Sequence, residues 1–386
     1  MIPPDMTGKA ILFYNDSEVF GGHEIMTVRI MNSLANQRSH ALHCLHYAPG
    51  FIDQLDPSVI THALPFHTKT RTPFMSGSLT WQTTHVKKKI EDIAPDLVVV
   101  SHGYAESGVR GLLAARRARV RTCSYIPFGN NNTELNNRFA RLRDFACRFI
   151  YRLPDGYITI SGYQASMLRR FTRARQDIRV INNPADFGYA APRPNAVYAP
   201  GGRLEIAVAG RIVFKQKNQG ALIPVARMLA EQMDFRIHII GDGPDRGRLE
   251  DMISDAGLAD RFVLHGWMQQ PELVSFLTEG IDLILIPSLY EGLPLILLEA
   301  LYLNKPFVMS NLGLLREYDV PRDWLFDPRN SQAIARRIAG FGAIFDPDDY
   351  AALRERVLAL HSTQRFHAEV AAAFDALLAG TDQILS

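Results

Sequence analysis

The stretch SLYEGLPLILLEAL, residues 288–301, sets Glu291 and Glu299 at either end of a run that is otherwise almost wholly apolar. A carboxylate among leucines costs several kcal/mol unless a partner compensates it. Each acid therefore needs something to touch. Pro294 suits the first helical position, where its missing N–H costs nothing. A helix beginning near Pro294 leaves Glu291 in the preceding turn, facing a ligand, with free backbone N–H groups beside it. Glu299 falls in the second turn, surrounded by Leu295, Ile296, Leu297 and Leu298, which predicts a helix covered on all sides. Ligand hydroxyls would satisfy both acids. Pairing with a nearby arginine, or a carboxylate reaching solvent, is the alternative.

Cations stand upstream. The fragment VAGRIVFKQKNQG, 208–220, ends a strand and enters a loop carrying Arg211, Lys215 and Lys217. The fork of an arginine and the mobile charge of a lysine together suit a diphosphate; three solvated charges are the plainer reading. A further loop, IIGDGPDRGRLE at 239–250, holds Gly241, Gly243 and Gly247. Its spacing is one residue too long for a dinucleotide fingerprint and it follows an interior strand, which argues against a nicotinamide site. A tight turn that lets backbone approach a ligand is expected instead. No His/Cys cluster has metal-ligand spacing. The one Asp-x-Asp triplet, Asp346-Pro347-Asp348, lies in a late turn, so no metal and no cofactor is expected.

These loops must hang on strands. Runs such as KAILFYN, DLVVVS, LEIAVAG, FRIHIIG and IDLILIPS read as buried parallel strands, each followed by a helical pattern. Alternation of this kind predicts an α/β fold, with parallel sheets covered by helices and ligands at the strands' carboxyl ends. The pattern runs through residues 1–187 and pauses in a Pro/Gly/Ala-rich linker, 188–203. It restarts over 204–347 and ends in a helical segment, 348–386. Two doubly wound domains facing across a cleft are expected.

The 386 residues suit about two domains. No apolar run reaches the roughly 18 residues of a membrane span. The start lacks a signal pattern, and the three cysteines have no framework spacing. A cytoplasmic protein is expected, possible association with the inner membrane face included. The net charge of +2 hides an asymmetry: residues 1–187 carry 23 Lys+Arg against 15 Asp+Glu, and the remainder 19 against 25. In RFARLRDFACRFIYR, 138–152, Phe139, Phe145, Phe149 and Tyr151 stand among five arginines. Two readings stay open for this segment: an interfacial helix on an anionic membrane surface, or a solvated arginine face whose aromatics fill the core. Nucleic acid is not expected, since no recognition motif accompanies the charge.

The constellation resembles glycosyltransferase family 4, a group of retaining enzymes of the GT-B fold that use nucleotide sugars. Glu291 followed by Gly292-Leu293-Pro294 and by Glu299 matches the family signature, and Gly210-Arg211 with Lys217-Asn218 matches its diphosphate pair. Phe235–Pro244, Val263–Gly266, VINNPAD (180–186) and Gly21-Gly22-His23-Glu24 extend the likeness to nearly the whole chain. The resemblance implies that Arg211 and Lys217 hold the donor diphosphate, that Glu291 contacts the transferred sugar, and that Gly292 and Leu293 offer backbone N–H groups. It implies that Glu299 takes the ribose, that Gly241 and Gly243 shape the donor loop, and that His265 and Gly266 lie near the base. Gly21 and Gly22 would admit the donor phosphates or the acceptor. The first domain would bind the acceptor, the second the donor, and the C-terminal helix would return to the first domain.

The family often carries a histidine after the fourth or fifth strand. Here Tyr125, Pro127 and Asn130 occupy that region, and His102, one strand earlier, could substitute; His23, Tyr125 and Asn130 are the acceptor-side candidates. The expected partners are a UDP- or GDP-sugar and a glycan or lipid-linked acceptor. The expected product is a cell-surface polysaccharide or glycolipid. A non-catalytic nucleotide- or glycan-binding subunit of the same fold is the alternative.

Overall fold

The computed structural model describes residues 8–18, 21–67, 78–129, 132–134, 139–185 and 202–379. Most of the expected linker, 188–203, lies outside them, as does Asn130. The chain divides into two units: Met1–Asn183 with Gln364–Ser386, and Pro184–Thr363.

In the first unit the strands are β1 (Ala10–Asn15), β2 (Ala41–His46), β3 (Ile60–Ala63), β4 (Leu97–Ser101), β5 (Arg121–Tyr125), β6 (Gly156–Thr159) and β7 (Asp177–Val180). They form one parallel sheet in the order β3-β2-β1-β4-β5-β6-β7. The helices α1 (Gly22–Gln37), α2 (Ser78–Ile93), α3 (Val109–Arg117), α4 (Ala140–Ile150) and α5 (Gly162–Arg169) alternate with them. Val98 and Val100 of the central strand bury against Val86 and Ile90 of α2 and Leu112 and Ala115 of α3. Strands covered on both faces read as continuous apolar runs, which is why β1 and β4 were legible.

The second unit repeats the plan. Its strands β8 (Leu204–Ala209), β9 (Phe235–Ile240), β10 (Phe262–Gly266), β11 (Leu283–Ile286), β12 (Phe307–Ser310) and β13 (Leu325–Phe326) lie in the parallel order β10-β9-β8-β11-β12-β13. Its helices are α6 (Phe214–Lys217), α7 (Leu222–Ala230), α8 (Arg246–Asp255), α9 (Gln270–Gly280), α10 (Leu295–Tyr302), α11 (Ser331–Ala339), α12 (Phe341–Ile344) and α13 (Pro347–Leu360). Ile206, Val208, Ile237, Ile239 and Leu285 build its core with Leu222, Val225 and Ile334.

Both sheets place their first strand beside their fourth. Crossovers leave in opposite directions there, so a crevice opens at the carboxyl ends of that strand pair. In the first unit it lies beyond β1 and β4, in the second beyond β8 and β11. Lys217 and Glu291 meet at the second of these points, and the head of α1 stands by Gly103 at the first.

The last helix, α14 (Thr363–Ala379), belongs with the first unit. Phe374 meets Phe13 of β1 with ring centroids 5.9 Å apart, and Lys9 Nζ donates to the Leu378 carbonyl at 2.9 Å. The Glu369 carboxylate accepts from the Asn182 backbone at 2.7 Å. Gly156 of β6 makes room for the helix, since a Cβ there would stand 3.2 Å from Leu377 Cδ2. Phe374 is fully buried. Its replacement by alanine is expected to cost about 3–5 kcal/mol, read as a lowered urea midpoint of the first unit's transition. A loss below about 1 kcal/mol would show that α14 is not integral to this core.

Candidate active site

In the second unit the loops after β8 and β9 are laced together before they reach the crevice. Gly210 N–H donates to the Ile240 carbonyl at 2.9 Å, Ile212 N–H to Asp242 at 2.9 Å, and Phe214 N–H to Asp245 Oδ2 at 2.8 Å. Gly241 and Gly243 serve this lacing. A Cβ on either would stand 2.3 Å from a carbonyl oxygen of the neighbouring loop, that of Gly210 or of Ile212. The tight approach expected of these glycines is thus made to backbone.

The laced loop presents α6, whose last residue, Lys217, points its Nζ at Glu291 Oε1, 2.6 Å away. Glu291 Oε1 also accepts from Ser288 Oγ at 2.8 Å. Leu289 N–H donates to the Gln216 carbonyl at 2.7 Å, joining the two loops a second time. Two residues 74 positions apart are therefore brought together across the β8–β11 crevice, with side-chain exposures of only 19% and 8%. Asn218 follows in the left-handed region at φ 60°, and its amide reaches the Pro328 carbonyl at 2.8 Å. Arg211 lies exposed on the same loop.

Pro294 takes the capping position of α10, one residue before the helix proper, and no side chain caps this end. Gly292 and Leu293 complete the turn. The expected covering of α10 on all sides holds for Ile296, Leu297, Leu298, Ala300 and Leu301, whereas Leu295, Glu299 and Tyr302 keep partial exposure. Those three are spaced four and three apart and share one face. Glu299 thus looks out along the open stripe of an otherwise buried helix.

His265 ends a chain of polar contacts running across the sheet. The Glu205 carboxylate lies 2.7 Å from His238 Nε2, which places the proton on that nitrogen. His238 Nδ1 then accepts from His265 Nε2 at 2.9 Å. Burial, followed by the nearness of His238, lowers the His265 pKa against an opposing pull from Glu272. Beyond Gly266, which has φ +75°, Trp267 stands 64% exposed. Sequence reasoning passed over this tryptophan. The signal was present: a large flat apolar ring immediately after a strand-ending glycine.

In the first unit the corresponding crevice is headed by α1. Gly21 precedes the helix in an extended conformation, and its N–H donates to Glu24 Oε2 at 3.0 Å. Glu24 is 1% exposed, with Oε1 lying 2.9 Å from His23 Nε2. Burial raises its pKa, but His23 and a hydrogen bond from Ser17 outweigh that, and the carboxyl stands below its ordinary value. The His23 ring rests on Gly103, the residue after His102; a Cβ there would be 3.4 Å away. Tyr125 is buried below with its hydroxyl unpartnered among the described residues. Sequence reasoning assigned no role to Glu24, whose importance depends on the turn at Gly21.

His102 has a different place from the one expected. It is 3% exposed, and both ring nitrogens are engaged. The Tyr104 carbonyl, 2.7 Å from Nδ1, can only accept, so Nδ1 carries the proton and Nε2 accepts from Ser124 Oγ at 2.7 Å. In this arrangement the ring ties the post-β4 loop to β5 and offers no nitrogen to a substrate.

Among the described residues no group of three or more His, Cys, Asp or Glu could hold a metal ion, and no helix is long and apolar enough to cross a membrane. Asp346 of the Asp-x-Asp triplet caps α13, its Oδ1 accepting from the Asp348 and Asp349 N–H groups at 2.8 and 3.0 Å.

Residues 195–363 match the family described as Glycosyl transferases group 1, and residues 20–188 match Glycosyltransferase Family 4. The chain belongs to the family 4 type of GT-B glycosyltransferases. It is 32% identical over 152 residues to the 2-deoxystreptamine glucosyltransferase of Streptomyces kanamyceticus, covering 37% of this chain and 39% of that protein. It is 33% identical over 156 residues to the lipopolysaccharide core biosynthesis glycosyltransferase LpsD of Rhizobium meliloti, covering 39% of this chain and 42% of the relative. The matched stretch thus spans about two fifths of these relatives' length. The Anabaena protein HepE, solved in complex with UDP-glucose, superposes with a TM-score of 0.68 at 17% identity, over 95% of this chain and 100% of that one.

Burial holds the His102 pKa at about 4 against an ordinary 6.5, the Tyr104 carbonyl opposing and His23 adding to the shift. The folded-state value is depressed, so between these limits the unfolded chain binds a proton that the folded chain refuses. Stability from this group is therefore lost as pH falls through that window, by about 3 kcal/mol in all. Urea unfolding at pH 7 and pH 4.5 is expected to show a smaller pH-dependent loss in His102→Asn than in the wild type; equal losses would refute the assignment.

Proposed function

We propose that the chain moves a sugar from a nucleoside-diphosphate sugar to a hydroxyl of a glycan or lipid-linked acceptor. We read the transfer as retaining and metal-independent, and as serving cell-surface polysaccharide or glycolipid synthesis. The observation that carries this reading is the Lys217–Glu291 pair at the head of α10. In this pair each charge satisfies the other. An arriving diphosphate offers Lys217 a stronger partner, shared with Arg211, and releases Glu291 toward the hydroxyls of the sugar. Charge develops on the leaving diphosphate as the glycosidic bond breaks, and preorganised cations there act on the transition state. The uncapped end of α10 adds its dipole. The proton of the incoming hydroxyl passes to a leaving-phosphate oxygen on the same face of the sugar. This path retains configuration without a protein nucleophile.

Glu299, on the open stripe of α10, is read as the ribose contact, and the exposed face of Trp267 as a stacking surface for the base. The UDP-glucose complex of HepE favours a uridine donor over a guanosine one. On the acceptor side, His23 steadied by Glu24 is read as the group that meets the incoming hydroxyl.

Thermal-shift measurements with UDP, GDP, ADP and their sugars are expected to show stabilisation by the UDP series above all. In Glu291→Ala, sugar transfer should fall by at least about a hundredfold while UDP still binds. Lys217→Ala should weaken UDP itself. Turnover is expected to survive EDTA, and NMR of the product to show the donor's anomeric configuration. Wild-type turnover in Glu291→Ala would overturn the role given to that residue, and an inverted product the mechanism.

A further inference from the structure

The helix α4 wears its apolar face outward. Phe139, just before it, is 68% exposed, Leu142 70%, Phe145 58% and Phe149 59%. The spacing of three, three and four residues aligns them in one stripe, and the rings of Phe145 and Phe149 meet edge-on with centroids 5.7 Å apart. Four of the eight exposed large hydrophobics among the described residues therefore belong to this single stripe. The core-filling reading of the segment's aromatics holds for Tyr151, which is buried with Cys147 and Ile150, and is corrected for Phe139, Phe145 and Phe149.

Polar tethers hold the helix in this orientation. Arg143 is bound by the Glu106 carboxylate, with Nε 2.8 Å from Oε1. Asp144 accepts from the backbone N–H groups of Asn132 and Thr133 at 2.7 and 3.0 Å. The only acid on α4 is thus committed inward. Arg141, Arg148 and Arg152 remain exposed beside the stripe. An apolar band bordered by cations with no outward acid is the reverse of the usual solvent face of a helix.

We propose that α4 is an interfacial docking surface for an anionic lipid bilayer, lying in the headgroup plane with the aromatic stripe in the acyl boundary and the arginines on lipid phosphates. The charge pattern selects this occupant. Aromatic rings favour the membrane–water interface, and basic residues bordering an apolar face add attraction to anionic lipid. A second copy docked through the same stripe would set arginine against arginine, because a two-fold contact pairs each patch with itself. The proposal does not rest on the sugar transfer, so the two readings succeed or fail separately.

Flotation of the full chain with phosphatidylglycerol-containing vesicles, against pure phosphatidylcholine, tests this directly. Binding to the anionic vesicles is expected, weakened by high salt. Replacing Arg141, Arg148 and Arg152 together by glutamine should weaken it roughly a hundredfold, and Phe145→Ser with Phe149→Ser at least about tenfold. Circular dichroism and melting should be unaltered in both variants, since the replaced side chains are exposed. Failure of the wild type to float with anionic vesicles, or equal flotation of the variants, overturns the proposal. So does a concentration-dependent dimer abolished by the Phe145→Ser and Phe149→Ser pair without vesicle binding, which would assign the stripe to a second copy.

Discussion

Everything at the candidate site depends on the place in each sheet where the first strand lies beside the fourth. Parallel strands joined by right-handed crossovers cover one face while the chain winds in one direction, and the other face when it reverses. At the reversal, the loops after the two central strands diverge and leave room between them. In the second unit this brings residue 217 from one side against residue 291 from the other. In the first it sets the head of α1 over Gly103, the first residues beyond β4. The chemistry is local, but its location is a property of topology.

At that point in the second unit the central contact is an ion pair with little exposure. A partly buried lysine or glutamate alone would suffer a desolvation penalty that its partner removes. The pair is therefore an arrangement in which neither charge is stranded, and the lysine can exchange the carboxylate for another anion while the carboxylate turns to hydroxyl donors. Lacing of the two loops through backbone hydrogen bonds fixes where the lysine stands. Its reach then depends little on side-chain freedom.

Much of the fold could be read from the sequence because the central strands are covered on both faces and appear as apolar runs. The strands that escaped notice did so for physical reasons. Edge strands β3 and β7 are largely exposed or half-buried and carry no such run. In β2 two histidines interrupt the apolar pattern although all six residues are buried. Glu291 and Glu299 were visible through their spacing, yet their environments were not: which face of α10 stays open depends on helices and strands distant in sequence. The direction of the Phe139–Phe149 stripe was equally hidden. Phenylalanines suit a core or an interface, and the decision was made by Glu106, more than thirty residues upstream of Arg143. His102 looked available because it ends a strand, and only the distant Ser124 showed that its second nitrogen was occupied.

The return of α14 to the first unit has a consequence for how the protein is made. Its Phe374 closes over Phe13, and Lys9 is held by the Leu378 carbonyl, although the whole second unit lies between these partners in sequence. A ribosome releases the amino terminus first, so the sheet of the first unit emerges with one face incomplete and waits for the entire second unit to be translated. The second unit, contiguous in sequence, has no such wait. The unit that begins first is completed only after the second, and until α14 leaves the exit tunnel its apolar face around Phe13 is a natural station for a chaperone.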